Sequence, residues 1–98
     1  MKQKSRGIVR DDGVVGGEPR IEGTRVTVLR IAGLVEGDGL SAQSVADKYG
    51  VDVSDIYRAL TYYHDSPEEI AEVRRERREA EEEAAEREDT VRLSELRG

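Results

Sequence analysis

The sequence predicts a mainly α-helical fold with a short N-terminal β element and a long, charged C-terminal helix. Three observations support this prediction. Of the 22 Ile, Leu and Val residues, 17 precede residue 66, so the chain can bury a hydrophobic core only in its first two-thirds. Apolar residues recur at helical spacing from residue 28 onwards, and the last third is rich in Glu and Arg. We therefore expect one folded domain at 1–65 and a charged helical arm at 66–98.

The N-terminal β element is expected to consist of very short strands joined by turns. Ile8–Arg10 and Val14–Val15 are β-type segments separated by Asp-Asp-Gly, which favours a turn. Arg20–Ile21 and Arg25–Val28 flank Gly23, whose missing Cβ allows a tight turn. The aliphatic side chains expected in the core of this element are Ile8, Val15, Ile21, Val26 and Val28.

Two short helices are predicted after the β element. The apolar segment Leu29–Val35 forms the first helix, which the Gly-Asp-Gly sequence at 37–39 ends. Ser41 is expected to cap the second helix, Ala42–Tyr49, and Gly50 is placed to end it.

Two longer helices complete the predicted fold. Ser54 is expected to cap a third helix, Asp55–His64. Its buried stripe follows the spacing of one helical face and consists of Ile56, Ala59, Leu60 and Tyr63. A Ser-Pro-Glu-Glu sequence favours the start of a fourth helix, which is expected to run to about Glu88 and to break at Asp89–Thr90.

The second and third predicted helices fit a helix-turn-helix motif. Ala46 is the small residue needed where the helices cross, Gly50 follows four residues later for the turn, and Ile56 is the aliphatic residue at the junction. If the motif reads DNA, its outward-facing residues are the contacts. The candidate DNA-binding residues on that face are Ser54, Tyr57, Arg58 and Thr61.

DNA contact and simple packing both remain open for this helix pair. Arg58 suits a guanine edge, and the hydroxyl groups beside it suit phosphates. Asp55, however, stands near the helix start, where a phosphate would lie. The alternative is a helix pair that only packs and dimerises. The basic residues of the first ten, which form either a DNA-binding arm or a disordered leader, are Lys2, Lys4, Arg6 and Arg10.

One segment carries a recognisable motif. Gly17–Val28 reads GEPRIEGTRVTV and closely resembles the signature G-x-P-x-I-x-G-T-R-[IV]-x-V of the domain-of-unknown-function family 433. The likeness extends over roughly Ile8 to Glu72. It implies a small homeodomain-like helix-turn-helix fold that is commonly dimeric. Within the motif, Gly23 and Thr24 are expected to fix a turn, and Arg25 to anchor it, so that its role is mainly structural.

The family resemblance also implies a function and partners. Such proteins often look like VapB-type antitoxins, encoded beside a PIN-like ribonuclease toxin. The implied partners are therefore that toxin, a second copy of this chain and operator DNA.

The end of the arm supplies the candidate partner-binding residues. An apolar cluster in a charge-dense segment has no core of its own to join, so we expect it to dock on another protein. Flanking guanidinium groups suit the carboxylate cluster of a PIN-like site. The candidate residues are Val91, Arg92, Leu93, Leu96 and Arg97. The alternative is a solvated helix whose apolar end folds back or pairs across a dimer.

Composition argues against several other classes. The chain has no Cys and a single His, His64, so neither a metal site nor a catalytic triad is expected, and no cofactor is predicted. The net charge of −6 divides into −1 for residues 1–65 and −5 for residues 66–98, which argues against strong generic binding to nucleic acid. No apolar run is long enough for a membrane span or a signal peptide, so a cytoplasmic protein without a membrane partner is expected.

The sequence therefore favours a non-enzymatic antitoxin of a type II toxin–antitoxin pair. In this hypothesis the arm neutralises a PIN-like ribonuclease, and the helix-turn-helix domain binds the operator for autoregulation. The alternatives are a stand-alone DNA-binding transcriptional regulator and a dimeric protein-interaction adaptor.

Overall fold

The computed structural model describes the backbone of residues 6–97 and the side chains of residues 6–88. It confirms a mainly helical fold with a short antiparallel sheet near the N-terminus. The chain divides between Pro67 and Glu68 into two compact units. We call the first the front unit and the second the arm.

The sheet of the front unit contains two strands, β1 (Ile8–Val9) and β2 (Arg20–Ile21), which pair antiparallel with Ile8 opposite Ile21. The expected strand at Val14–Val15 is wrong, because Val15–Gly17 forms a 3-10 turn instead. The φ angles are 43° at Val15, 67° at Gly16 and 78° at Gly17. A left-handed backbone of this kind cannot continue a strand.

The expected strand at Arg25–Val28 is also wrong. Thr27 makes only an isolated bridge to Arg20 and then caps helix α1 (Val28–Ala32), where its Oγ1 accepts the Arg30 N–H at 3.1 Å. A turn of π-helix, Gly33–Gly37, continues α1. The helix predicted over 29–35 is therefore present, but it starts one residue earlier because the Thr27 hydroxyl accepts the Arg30 N–H and the Pro19 carbonyl accepts the Val28 N–H at 2.9 Å.

Helix α2 (Ala42–Tyr49) has the predicted bounds. Its first turn is capped by Ser41, whose Oγ accepts the Ser44 N–H at 3.1 Å, and Gly50 ends it with a φ of 66°. Helix α3 spans Val53–Asp65, and the prediction that Ser54 caps it is wrong.

The start of α3 is set by two aspartates. Asp52 is the N-cap residue, and its backbone N–H donates to the Asp55 carboxylate at 3.1 Å. Ser54 consequently lies inside the first turn and is exposed. Asp52, Ser54 and Asp55 are all of residue types that can cap a helix. The hydrogen bond from the Asp52 N–H to the Asp55 carboxylate favours Asp52 as the cap.

The core of the front unit forms where α1 and α2 pack against α3. Among the predicted core residues of the β element, Ile21 and Val28 are fully buried, whereas the remaining three are only half-buried. On α3, Ile56 and Ala59 are fully buried, and the other two residues of the predicted stripe are half-buried. Short strands therefore contribute only their inward-facing ends, and the helices supply most of the apolar burial.

Helix α4 (Pro67–Arg97) begins at the last residue of the front unit and forms the described part of the arm. The predicted break at Asp89–Thr90 is wrong, because the helix continues through both residues. No Pro or Gly interrupts the sequence between Glu68 and Arg97, and most residues there have a high helix propensity. Within the described part of the chain, no helix is both long and apolar enough to cross a membrane.

Candidate nucleic-acid and partner interfaces

The family motif forms a tight turn between β2 and α1. Thr24 Oγ1 donates to the Ile21 carbonyl at 2.8 Å and accepts the Val26 N–H at 3.1 Å. Gly23 has a φ of 77°, which a residue with a Cβ rarely adopts. The side chain of Thr24 thus supplies the acceptor for the Val26 N–H and a second donor to the Ile21 carbonyl, which also accepts the Thr24 N–H at 3.1 Å.

Arg20, and not Arg25, holds this turn to its surroundings. Arg20 Nε donates to the Thr24 carbonyl at 2.9 Å, and Arg20 Nη2 pairs with Asp11 Oδ2 at 2.9 Å. Arg20 is 9% exposed, whereas Arg25 is exposed. Sequence reasoning missed Arg20, although its position beside the buried Ile21 is the available signal. Its role is structural, because a buried guanidinium with these partners fixes the loop before β2.

The four candidate DNA-binding residues lie together on one exposed face of α3. Tyr57 and Arg58 are adjacent, and each lies three or four residues from Ser54 and from Thr61; all four residues are exposed. Tyr57 is the most notable, because 57% of this large side chain is in contact with solvent. We call these four residues the α3 face.

The sequence suggested that Asp55 places a negative charge at the helix start, where a phosphate would lie, but its side chain is buried. It is only 1% exposed, and its Oδ1 accepts a hydrogen bond from Arg58 Nη1 at 3.0 Å. Its Oδ2 accepts the Asp52 N–H and lies 3.9 Å from Arg6 Nε. A buried carboxylate requires such partners. Asp55 therefore orients Arg58 and does not present a bare negative charge to a ligand.

Two other polar contacts link helices of the front unit. Arg30 Nε on α1 donates to the Tyr49 hydroxyl on α2 at 3.3 Å, and this hydrogen bond raises the pKa of Arg30. His64 Nε2 lies 2.6 Å from Glu36 Oε2, which joins the end of α3 to the π-helical turn. Both contacts join elements that are distant in sequence, and a structural role in holding these elements together explains them.

Metal ligation finds no support among the described residues. No group of three or more His, Cys, Asp or Glu side chains within them is arranged to hold a metal ion. Among the acidic loop residues near the sheet, Asp11 pairs with Arg20 Nη2 at 2.9 Å.

The arm presents a different kind of surface. Ile70 and Val73 are buried, whereas every residue from Arg74 to Glu88 is exposed. The backbone of the candidate partner-binding residues continues α4, but their side chains lie outside the described ones. Those residues are Val91, Arg92, Leu93, Leu96 and Arg97.

Together these features define a small helical protein in which two helices meet at a tight turn and a charged helix follows. The chain belongs to the family described as "Protein of unknown function (DUF433)", which it matches over residues 8–63. This match confirms the family that the Gly17–Val28 motif indicated. No curated protein and no solved structure matches the chain.

Proposed function

We propose that the protein is the antitoxin of a type II toxin–antitoxin pair and that its arm binds and neutralises a PIN-like ribonuclease. The observation that carries this proposal is the exposure of the arm from Arg74 to Glu88 on one continuous helix. Most helices in folded proteins gain their stability by packing an apolar face. A helix that lacks such a face over four turns is suited to contact a second protein.

The composition of the arm fits an acidic nuclease site. After Val73, the next aliphatic residues other than Ala are Val91, Leu93 and Leu96, which can supply apolar contacts to a partner. Arg92 and Arg97 stand among them and can supply guanidinium groups. Carboxylates that hold a catalytic metal ion attract guanidinium groups, which bind them through paired hydrogen bonds. Docking of this segment therefore blocks the nuclease by occupying its metal-binding carboxylates.

A truncation tests the proposal directly. The wild-type chain and a variant lacking residues 89–98 are each co-expressed with the protein encoded by the neighbouring reading frame. We expect the wild type to co-elute with that protein in size-exclusion chromatography and to stop its cleavage of RNA. The truncated chain is expected to do neither, while its melting temperature stays within a few degrees of the wild type, because the core of the front unit is untouched.

Single substitutions localise the effect. Arg92→Ala and Arg97→Ala are expected to weaken inhibition at least tenfold, as is typical when one charged partner of a buried pair is removed. Arg87→Ala is the matched control, since Arg87 is an exposed arginine of the same helix that pairs with Glu83 at 3.7 Å. Retention of full inhibition by the truncated chain would contradict the proposal and favour an adaptor or a stand-alone regulator.

A second activity, binding of operator DNA, is favoured by the α3 face. Its three hydroxyl groups and one guanidinium are exposed on a single side of α3, which follows α2 after a three-residue turn. Hydroxyl groups and arginines are the usual contacts to phosphates and guanine edges. This activity provides autoregulation of the antitoxin, or the main function if the arm only mediates oligomerisation.

A further inference from the structure

Near the N-terminal end of α3, two charged side chains of that helix meet a third from the N-terminal segment of the chain. The buried carboxylate of Asp55 lies 3.0 Å from Arg58 Nη1 and 3.9 Å from Arg6 Nε. The two arginine side chains are 41% and 40% exposed, so both reach solvent while sharing one carboxylate. Asp52, the N-cap residue of the same helix, adds a second carboxylate, so the cluster is neutral as a whole and its exposed guanidinium groups are its positive part.

The β element brings Arg6 to this position. The Glu22 N–H donates to the Gly7 carbonyl at 2.9 Å, which fixes the backbone next to Arg6. Arg6 Nη1 in turn donates to the Glu22 carbonyl at 3.3 Å. A Cβ on Gly23 would lie 3.3 Å from Arg6 Nη1, so the glycine of the family motif also leaves room for this guanidinium.

We propose that Arg6 and Arg58, both oriented by Asp55, form a clamp for one backbone phosphate of duplex DNA. The proposal deepens the DNA-binding activity assigned to the α3 face and rests on it. It places Arg6, one of the basic residues considered for a DNA-binding arm, beside Arg58 at a defined contact, and it adds Asp55 as a positioning residue. A guanidinium offers paired N–H donors that match the oxygens of a phosphate.

The geometry favours a phosphate for two physical reasons. Two partly exposed guanidinium groups that share one carboxylate can donate to both non-bridging oxygens of a phosphodiester. Arginine side chains also lose rotamer entropy on binding, and a side chain already held by a carboxylate and a carbonyl loses less of it. Ser54 and Tyr57 are also exposed in the first half of α3, and their hydroxyl groups extend the polar surface beside the two arginines.

Binding of duplex DNA at several salt concentrations tests the clamp. The full-length chain is titrated into the labelled duplex that lies immediately upstream of its own coding sequence and into a scrambled duplex of equal length. Arg6→Ala and Arg58→Ala are each expected to weaken binding to both duplexes about tenfold and to lower the salt slope by about 1. Arg78→Ala, which removes one exposed arginine of the arm, is the matched control and is expected to leave both quantities unchanged.

Asp55→Asn separates positioning from simple charge. The variant removes one negative charge, so a surface that acted only through its net charge would bind DNA more tightly. If Asp55 orients the two guanidinium groups, binding instead weakens several-fold. Thermal melting of each variant by circular dichroism verifies that the front unit is folded. If Asp55→Asn is unfolded, the two arginine variants decide whether the clamp binds DNA.

The outcomes distinguish the clamp from the activity on which it rests. Weakened binding by both arginine variants together with an unchanged Arg78→Ala supports the clamp. Wild-type affinity in Arg6→Ala overturns the clamp but leaves DNA binding by the α3 face in place. Tighter binding by a folded Asp55→Asn overturns the positioning role. Absence of binding by the wild-type chain to either duplex overturns both the clamp and the DNA-binding activity.

Discussion

The front unit and the arm are stabilised in different ways. In the front unit, Ile21, Ile31 and Ile56 are fully buried between two strands and three helices. In the arm, the whole stretch from Arg74 to Glu88 is exposed and consists mainly of Glu, Arg and Ala. Burial of apolar surface stabilises the front unit, whereas backbone hydrogen bonds and local propensity stabilise the arm from Arg74 onwards. A substitution at an exposed position between Arg74 and Glu88 should therefore leave the stability of the front unit unchanged.

The largest expected effect comes from the core of the front unit. Ile56 is fully buried at the junction of α3 with its neighbours. Ile56→Ala removes three carbons and leaves a cavity, so we expect the free energy of unfolding to fall by about 2–5 kcal/mol. Denaturant unfolding of the full chain measures this loss. A loss below about 1 kcal/mol would show that the front unit is not held by a close-packed core.

A proline in the arm tests the other half of the comparison. Ala84→Pro removes a backbone donor within α4 and is expected to cost the helix about 3 kcal/mol locally. The far-ultraviolet circular dichroism signal should therefore decrease, while the unfolding midpoint of the front unit stays unchanged. Ala84→Ser is the conservative control, since serine keeps the donor. A clear shift of the front unit's midpoint would contradict the independence of the two regions.

The smallest expected effects concern two glycines of the front unit. Gly50 has a φ of 66°, so Gly50→Ala is expected to lower stability by about 1 kcal/mol. Gly33 has a φ of −61°, and a Cβ added there would meet open space, so Gly33→Ala should raise stability by about 0.5 kcal/mol. Thermal unfolding of the two variants measures the difference. Equal effects would show that the left-handed turn after α2 does not constrain the fold.

Local signals explain which elements the sequence predicts well. The bounds of α2 are correct because both of its ends are determined by adjacent residues, Ser41 and Gly50. The strand predicted at Val14–Val15 is wrong because the next two glycines impose a left-handed turn, which β propensity does not reveal. The end of α4 is predicted too early because Asp89–Thr90 has a low helix propensity, which alone does not end a helix where Gly and Pro are absent.

The candidate site also contains features that local sequence patterns predict and features that depend on contacts between distant residues. Helical spacing alone predicts that Ser54, Tyr57 and Thr61 share an exposed face of α3. The burial of Asp55 and its approach to Arg6 depend on contacts across 49 positions of the chain, for which no local pattern exists. Residue type suggests a repulsive charge at the helix start, but the fold neutralises it with two arginines.

The length of α4 limits how a partner can use it. At 1.5 Å per residue, its 31 residues extend about 46 Å, which is more than the diameter of a small domain. A single small domain bound to the distal residues therefore leaves several turns of the helix in water. Those turns must remain helical without any partner, and a sequence dense in Glu, Arg and Ala meets that requirement.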